Sequence, residues 1–282
     1  MAKIAVGPGH RAPVASPLAA GPGWSISDVV CSAGPLDAPF EEQHAVTSIA
    51  LVVSGTFQYC SSTGSDLMTP GSLLLGNAGA CFRCRHEHGT GDRCVAFFFE
   101  PGRWEQLGLA APAARPLFQV PRLPPSRFFA PEVAKVIGLQ AGDPRLDAEE
   151  IGVQLAAKAI QLARDVSPER AAPALPSALA RVSRVVRLID HEPGAPHRLL
   201  TLAAAAKLSP YHFLRTFEAL TGTTPHQYLM RTRLRRAALR LRTETSKILD
   251  IALDCGFGDL SNFNRAVRAE FGVAPRIYRS LG

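Results

Sequence analysis

"SPYHFLRTFEALTGTTPHQY" at residues 209–228 and "DLSNFNRAVRAEFGVAPRIY" at residues 259–278 carry one pattern at an offset of 50. Phe213 falls on Phe263, Arg215 on Arg265, Gly222 on Gly272, Pro225 on Pro275 and Tyr228 on Tyr278. Upstream the same offset sets Leu202 on Ala252 and Ala203 on Leu253. A repeated supersecondary unit is the simplest account. Each copy reads as helix, tight turn, helix. Ser209 and Asp259 supply side-chain oxygens for N-caps, and Pro210 suits the first helical position, where a missing N–H costs nothing. Phe213 with Phe217, and Phe263 with Val267, form buried stripes four residues apart. Gly222 and Gly272 end the second helices. A helix-turn-helix lays its second helix in a DNA major groove.

The segment between the copies, "PHQYLMRTRLRRAALRLR" (225–242), reads as a continuous helix about 27 Å long. Met230, Leu234, Ala238 and Leu241 make its apolar stripe, and Arg231, Arg233, Arg235, Arg236, Arg240 and Arg242 cover most of the rest. Such a connector holds two recognition helices about 34 Å apart, one turn of DNA. Charge agrees: from Pro196 onward there are 14 Lys and Arg against 6 Asp and Glu, a net of +8, so the chain's +7 resides in this part. A local basic excess is the electrostatic footprint of a nucleic-acid partner.

Further outward the texture changes. Residues 1–23 are rich in Ala, Pro and Gly and read as a loose arm. Residues 24–125 carry short apolar runs between turn signals, as in "HAVTSIALVVSG" (44–55), "TFQYCS" (56–61), "SLLLG" (72–76) and "RCVAFFF" (93–99), which predict a β-sandwich or barrel. Residues 126–166 read as connector helices; Ile151, Leu155, Ala159, Leu162 and Val166 form a helical stripe. "SPERAAPALP" (167–176) is a Pro-rich linker, and the basic helical domain occupies 177–282. The fold class expected is therefore two-domain α+β. Six cysteines in 282 residues do not suggest a secreted disulfide scaffold. The opening residues lack the apolar core of a signal peptide, and no run of 18 apolar residues is present, so a cytoplasmic protein with no membrane partner is expected.

With these motifs in view, the last hundred residues resemble the DNA-binding domain of AraC/XylS-type transcriptional regulators, through "LSPYHFLRTFEALTGTTPHQYL" and "ILDIALDCGFGDLSNFNRAVRAEFGVAPRIYR". The resemblance covers about 35% of the chain. It implies a cupin-like N-terminal sensor domain, connector helices that dimerise, double-stranded promoter DNA as partner, and RNA polymerase and a small-molecule or metal effector as further partners. It implies groove contacts from Tyr211, Leu214 and Arg215 in the first copy and from Leu260, Ser261, Asn264 and Arg265 in the second; separately, Arg236 on the arginine-rich helix is expected on phosphate. Arg215 suits a guanine edge and Asn264 an adenine or phosphate; for Arg265 an intradomain salt bridge or a phosphate contact competes with base readout. Lys207 stands where the family often has Gly, and Leu260 where a polar residue is common. The family name leaves activator versus repressor open.

One motif lies outside this account. "CFRCRHEHGTGDRC" (81–94) holds three of the six cysteines and two of the eight histidines. On a strand Cys84, His86 and His88 share a face. If "GTGD" makes a hairpin with a three-residue loop, Cys94 joins them, and the four suit tetrahedral zinc. A two- or four-residue loop turns Cys94 away. Core packing, a hydrogen-bonded rim, thiol redox sensing and an organic-ligand pocket compete; Arg83, Arg85 and Arg93 permit an acidic effector. Enzymatic cupins draw metal-binding histidines from two motifs. Here only His44 stands in the first, and Phe82 replaces the second. No enzyme is therefore expected, against the alternatives of a DNA-tethered cupin metalloenzyme or a constitutive DNA binder with a structural zinc.

Overall fold

The computed structural model describes residues 13–37, 41–106, 117–166 and 174–280. The chain divides into two compact units, Met1–Pro125 with Asp147–Ala180, and Ser126–Leu146 with Arg181–Gly282.

The first unit is built on ten strands: β1 (Val14–Gly21), β2 (Trp24–Cys31), β3 (Glu41–Gln43), β4 (Thr47–Ser54), β5 (Phe57–Ser61), β6 (Gly64–Met68), β7 (Leu73–Gly76), β8 (Cys81–Arg85), β9 (Asp92–Phe99) and β10 (Arg122–Leu123). All pairings are antiparallel. One sheet has the order β1-β2-β9-β4-β7-β10, the other β3-β8-β5-β6. Helix α1 (Pro101–Gln106) follows β9; α2 (Ala130–Gln140) belongs to the other unit; α3 (Ala148–Asp165) returns to this one. The apolar run of β9 is explained by burial on both faces. Cys94 and Ala96 join Phe57, Tyr59, Met68 and Phe82 of the second sheet in one core, while Phe97 and Phe99 face Gly152 of α3. A Cβ at 152 would lie 3.4 Å from the Phe97 ring, at van der Waals contact.

Three expectations change in this unit. Residues 14–21, read as loose arm, form β1, registered from Val14 opposite Val30 to Gly21 opposite Trp24; the rest of that arm up to residue 12 lies outside the described residues, as do 167–173 of the linker. The stripe on α3 that supported dimerisation is buried within its own unit at Ile151, Leu155 and Ala159 (2%, 0% and 0% exposed). And β8 and β9 do not form a hairpin: β8 pairs with β3 and β5, whereas β9 pairs with β2 and β4. The segment 86–91 crosses between sheets, beside a second crossover at 55–56 joining β4 to β5. The two crossovers are tied together. His88 Nε2 lies 2.9 Å from Thr56 Oγ1, and His88 Nδ1 2.6 Å from Thr90 Oγ1. Gly55 (φ +80°) and Gly91 (φ +75°) are required there, since a Cβ at 55 would stand 2.6 Å from Asp92 Cβ and one at 91 would stand 2.7 Å from the Cys31 carbonyl oxygen.

The second unit contains α2, α4 (Pro176–His191, continuing from the first unit), α5 (Leu199–Ala205), α6 (Pro210–Thr221), α7 (Pro225–Thr243), α8 (Ile248–Asp254), α9 (Leu260–Phe271) and α10 (Pro275–Ser280). Its connector was expected to be one piece with α3. Instead Ala130 and Ala134 of α2 pack with Leu234, Ala237, Ala238 and Leu241 of α7 and with Val267 of α9. Asp143, just beyond α2, accepts from Arg242 Nη2 at 2.7 Å and from Arg145 Nε at 2.8 Å. On α4, Leu179, Val182, Val186 and Ile189 are all buried, as their spacing predicts.

Candidate nucleic-acid interface and sensor cavity

The two helix pairs are built by the same local chemistry. Ser209 Oγ accepts from His212 N (3.4 Å) to start α6, and Asp259 Oδ1 accepts from Asn262 N (2.7 Å) to start α9. Gly222 (φ +72°) and Gly272 (φ +78°) end them in the left-handed conformation. Phe213, Phe217, Phe263 and Val267 are fully buried, each contributing about 2 kcal/mol. The opposite faces are consequently exposed.

The structure also refines the repeat. Backbone N–H groups of Lys207 and Leu208 donate to Ala204 and Ala203 carbonyls, and those of Gly256 and Phe257 to Leu253 and Ala252. The leading helices therefore correspond at an offset of 49, with Leu202 on Ile251 and Ala203 on Ala252, and the second turn is one residue longer. Lys207 thus occupies the position of Gly256 and takes φ +54°, the one positive-φ residue besides glycine among the described residues.

Of the expected contact residues, Tyr211, Arg215, Leu260, Ser261, Asn264, Arg265 and Arg236 are exposed, and Leu214 is half-buried. Arg215 Nη1 donates to Tyr211 Oη at 3.1 Å, with its guanidinium 5.9 Å from the ring centre. Arg265 donates to Asn262 Oδ1, and Asn262 Nδ2 donates to Asp259 Oδ2 at 2.6 Å. Arg265 therefore makes an intradomain hydrogen bond to an amide in place of the expected salt bridge. Asn262 was missed; the spacing Asp259, Asn262, Arg265 at i, i+3, i+6 is the signal that finds it.

The arginines of α7 divide sharply. Arg231 Nη1 donates to Thr223 Oγ1 (3.2 Å) and faces Glu270; Arg235 Nη2 donates to Thr232 Oγ1 (2.8 Å); Arg240 pairs with Glu244 (2.8 Å) and Asp254 (3.0 Å); Arg242 pairs with Asp143. Arg233 donates to three carbonyls, those of Pro193 (2.7 Å), Gly256 (2.8 Å) and Ala195 (3.0 Å). Arg236 alone of the six is exposed and makes no hydrogen bond or ion pair among the described residues. Most of this helix's charge is internal bracing. Asp190 of α4 belongs to the same network: Tyr228 Oη donates to both its oxygens (3.1 and 2.9 Å), and burial raises its carboxyl to about 6 against the pull of Arg235.

In the β unit the two sheets enclose a cavity of about 260 Å³. His44 lines it but is committed: its ring stacks on Phe82 (centroids 4.2 Å apart), Nε2 lies 2.8 Å from Tyr59 Oη, and Nδ1 lies 3.1 Å from Ser48 Oγ. Burial lowers its pKa to about 4, so it is neutral. The expected set Cys84, His86, His88 and Cys94 does not assemble as read. Cys84 and Cys94 sit on opposite sheets facing the cavity, and His88 is turned away to Thr56. His86 meets different partners: its Nε2 lies 2.8 Å from Asp92 Oδ2, with Cys31 beside them. Cys31 and Asp92 are direct partners across β2 and β9. Burial opposes charge on His86, yet Asp92 and Cys31 raise its pKa to about 9.

Comparisons follow the helical unit. Residues 202–280 match a family model described as a helix-turn-helix domain. The regulatory protein SoxS of Salmonella typhimurium is 32% identical over 98 residues, which cover 35% of this chain and 92% of SoxS. The HTH-type transcriptional activator RhaS of Klebsiella pneumoniae is 41% identical over 78 residues, 28% of each chain. Among solved structures, the DNA-binding domain of AdpA in complex with a target DNA is 30% identical, with 36% of this chain and 90% of that chain covered and a TM-score of 0.35. The chain spans about a third of the length of the first curated relatives it matches.

Proposed function

Because the chain belongs to the AraC/XylS-type transcriptional regulators, we propose that it binds promoter DNA by setting α6 and α9 in two successive major-groove segments, and that the β unit senses a small molecule or metal. The observation carrying the first part is the duplication itself: two helices with matching caps and matching glycine ends, each burying one face and exposing the other. Arg215 and Arg265 are held by neighbours on their own helices, which reduces the ordering cost of reading a base edge. Tyr211, Leu260, Ser261 and Asn264 complete the reading face, half-buried Leu214 lies at its margin, and Arg236 contributes through phosphate. The cavity supports the second part, and a cupin-like ancestry suits its two-sheet frame. RNA polymerase, recruited at the promoter, is the downstream partner this reading needs; an obligate dimer is not, since the two reading helices come from one chain.

The test is selection of the full-length protein's preferred sites from random duplex DNA. Two half-sites with centres about one turn apart are expected. Arg215→Ala should relax preference at one position in the first half-site, costing about 1–3 kcal/mol of discrimination there. Failure to enrich any sequence at low salt would refute the proposal.

A further inference from the structure

We propose that Cys31 Sγ, His86 Nε2 and Asp92 Oδ2 bind a zinc-class divalent metal ion at the wall of the β-unit cavity, leaving a fourth position for a small ligand from that cavity.

The three donor atoms lie within 4.8 Å of one another. Tetrahedral zinc with nitrogen and oxygen donors near 2.0–2.1 Å and sulfur near 2.3 Å needs donor separations of roughly 3.3–3.8 Å. The set is within a few tenths of an ångström to one ångström of that. His86 Nε2 and Asp92 Oδ2, at 2.8 Å, need only part slightly. Their side chains are 6% and 7% exposed. A buried nitrogen and a buried carboxylate oxygen side by side, with the Cys31 thiol next to them, offer a metal ion three donors of complementary type. A mixed sulfur, nitrogen and oxygen set selects zinc or a neighbouring transition ion over magnesium or calcium, which take oxygen alone.

The backbone pre-forms the arrangement. Cys31 and Asp92 are fixed opposite each other by the β2–β9 register. His86 is carried on the crossover that His88 pins to Thr56 and that Gly55 and Gly91 allow to lie against β2 and β9. Three protein ligands with one position left open is the pattern of reactive or ligand-binding zinc, in contrast to closed structural sites. Cys31, His86 and Asp92 all line the cavity, so what completes the coordination comes from it. The inference rests on the β unit alone and stands apart from DNA binding.

The experiment is equilibrium metal binding by the full chain. Zinc is titrated against a chromogenic chelator, bound metal is counted by elemental analysis, and cobalt substitution reports geometry. One equivalent of zinc is expected, with a tetrahedral cobalt spectrum and a sulfur-to-cobalt charge-transfer band. Cys31→Ser, His86→Gln and Asp92→Asn should each weaken zinc by at least about tenfold, and Cys31→Ser should abolish the charge-transfer band. Cys84→Ser and His88→Gln should keep one equivalent and the band. Circular dichroism checks that each variant folds, and the three conservative replacements give independent routes should one fail. Less than a tenth of an equivalent in the parent protein would overturn the proposal. So would loss of metal on Cys84→Ser with retention on Cys31→Ser.

Discussion

Replacing Arg233 by alanine should unfold the helical unit early without first touching its DNA-reading faces. The guanidinium makes three charge-assisted hydrogen bonds of 2.7–3.0 Å to carbonyls of residues 193, 195 and 256. They join the end of α4 and the turn between α8 and α9 to α7. Hydrogen bonds to a charged group are each worth about 1.5–3 kcal/mol. The side chain is half-buried, so water recovers part of the loss, and a net cost of about 3–5 kcal/mol follows. At roughly 2–8 °C per kcal/mol for units of this size, the melting temperature falls by about six degrees or more. Arg233→Lys should recover only a fraction, because one ammonium does not reproduce the planar fork that serves three acceptors. The assay is denaturation of the full chain followed by far-ultraviolet circular dichroism, which weights the helical unit. Arg236→Ala, three residues along the same helix, is the paired control. It should leave stability within about 0.5 kcal/mol and lower the slope of log affinity against log salt by about one. If Arg233→Ala keeps full stability and loses DNA affinity instead, the bracing argument is wrong and Arg233 is a DNA contact.

Two further outcomes test the reasoning. Lys207→Gly should stabilise the chain by about 0.5–1 kcal/mol in the same denaturation assay: relief of a left-handed non-glycine conformation outweighs the extra chain entropy of glycine. Asp190 supplies a pH signature. Its carboxyl is raised from 3.8 to about 6, chiefly by burial, so the folded state holds the proton more tightly than the unfolded state. The stability it contributes is complete below about pH 3.8 and is lost as pH rises through 6, a change on the order of 2–3 kcal/mol. Asp190→Asn should flatten stability against pH across that window; an unchanged slope would refute the assignment.

The helical repeat was legible because its signals are local: caps, glycines and stripes four residues apart lie within one short window. The one-residue offset was hidden because alanine runs match at either register, and only the turn hydrogen bonds of Lys207 and Gly256 separate them. The roles of Arg233 and Arg242 were illegible because their partners lie far off, at Pro193 and Asp143. The same limit governs residues 81–94. Spacing by two correctly pointed to neighbouring histidines and cysteines, but the hairpin assumed a local partner. Gly55 and Thr56, some thirty residues upstream, draw the segment across to the other sheet. Cys31, farther still, carried no sequence signal linking it to His86.

The route of the backbone between the two units has a consequence for how the protein is taken apart. It passes from the β unit into the helical unit at 125/126, back at 146/147 and across again at 180/181. The helical unit is therefore discontinuous, and α2 is an inserted segment joined to the β unit by the chain at both ends. A fragment cut at the 167–176 linker would carry both helix-turn-helix pairs yet leave Leu234, Ala237, Ala238 and Leu241 without the alanines that cover them, and Arg242 without its carboxylate.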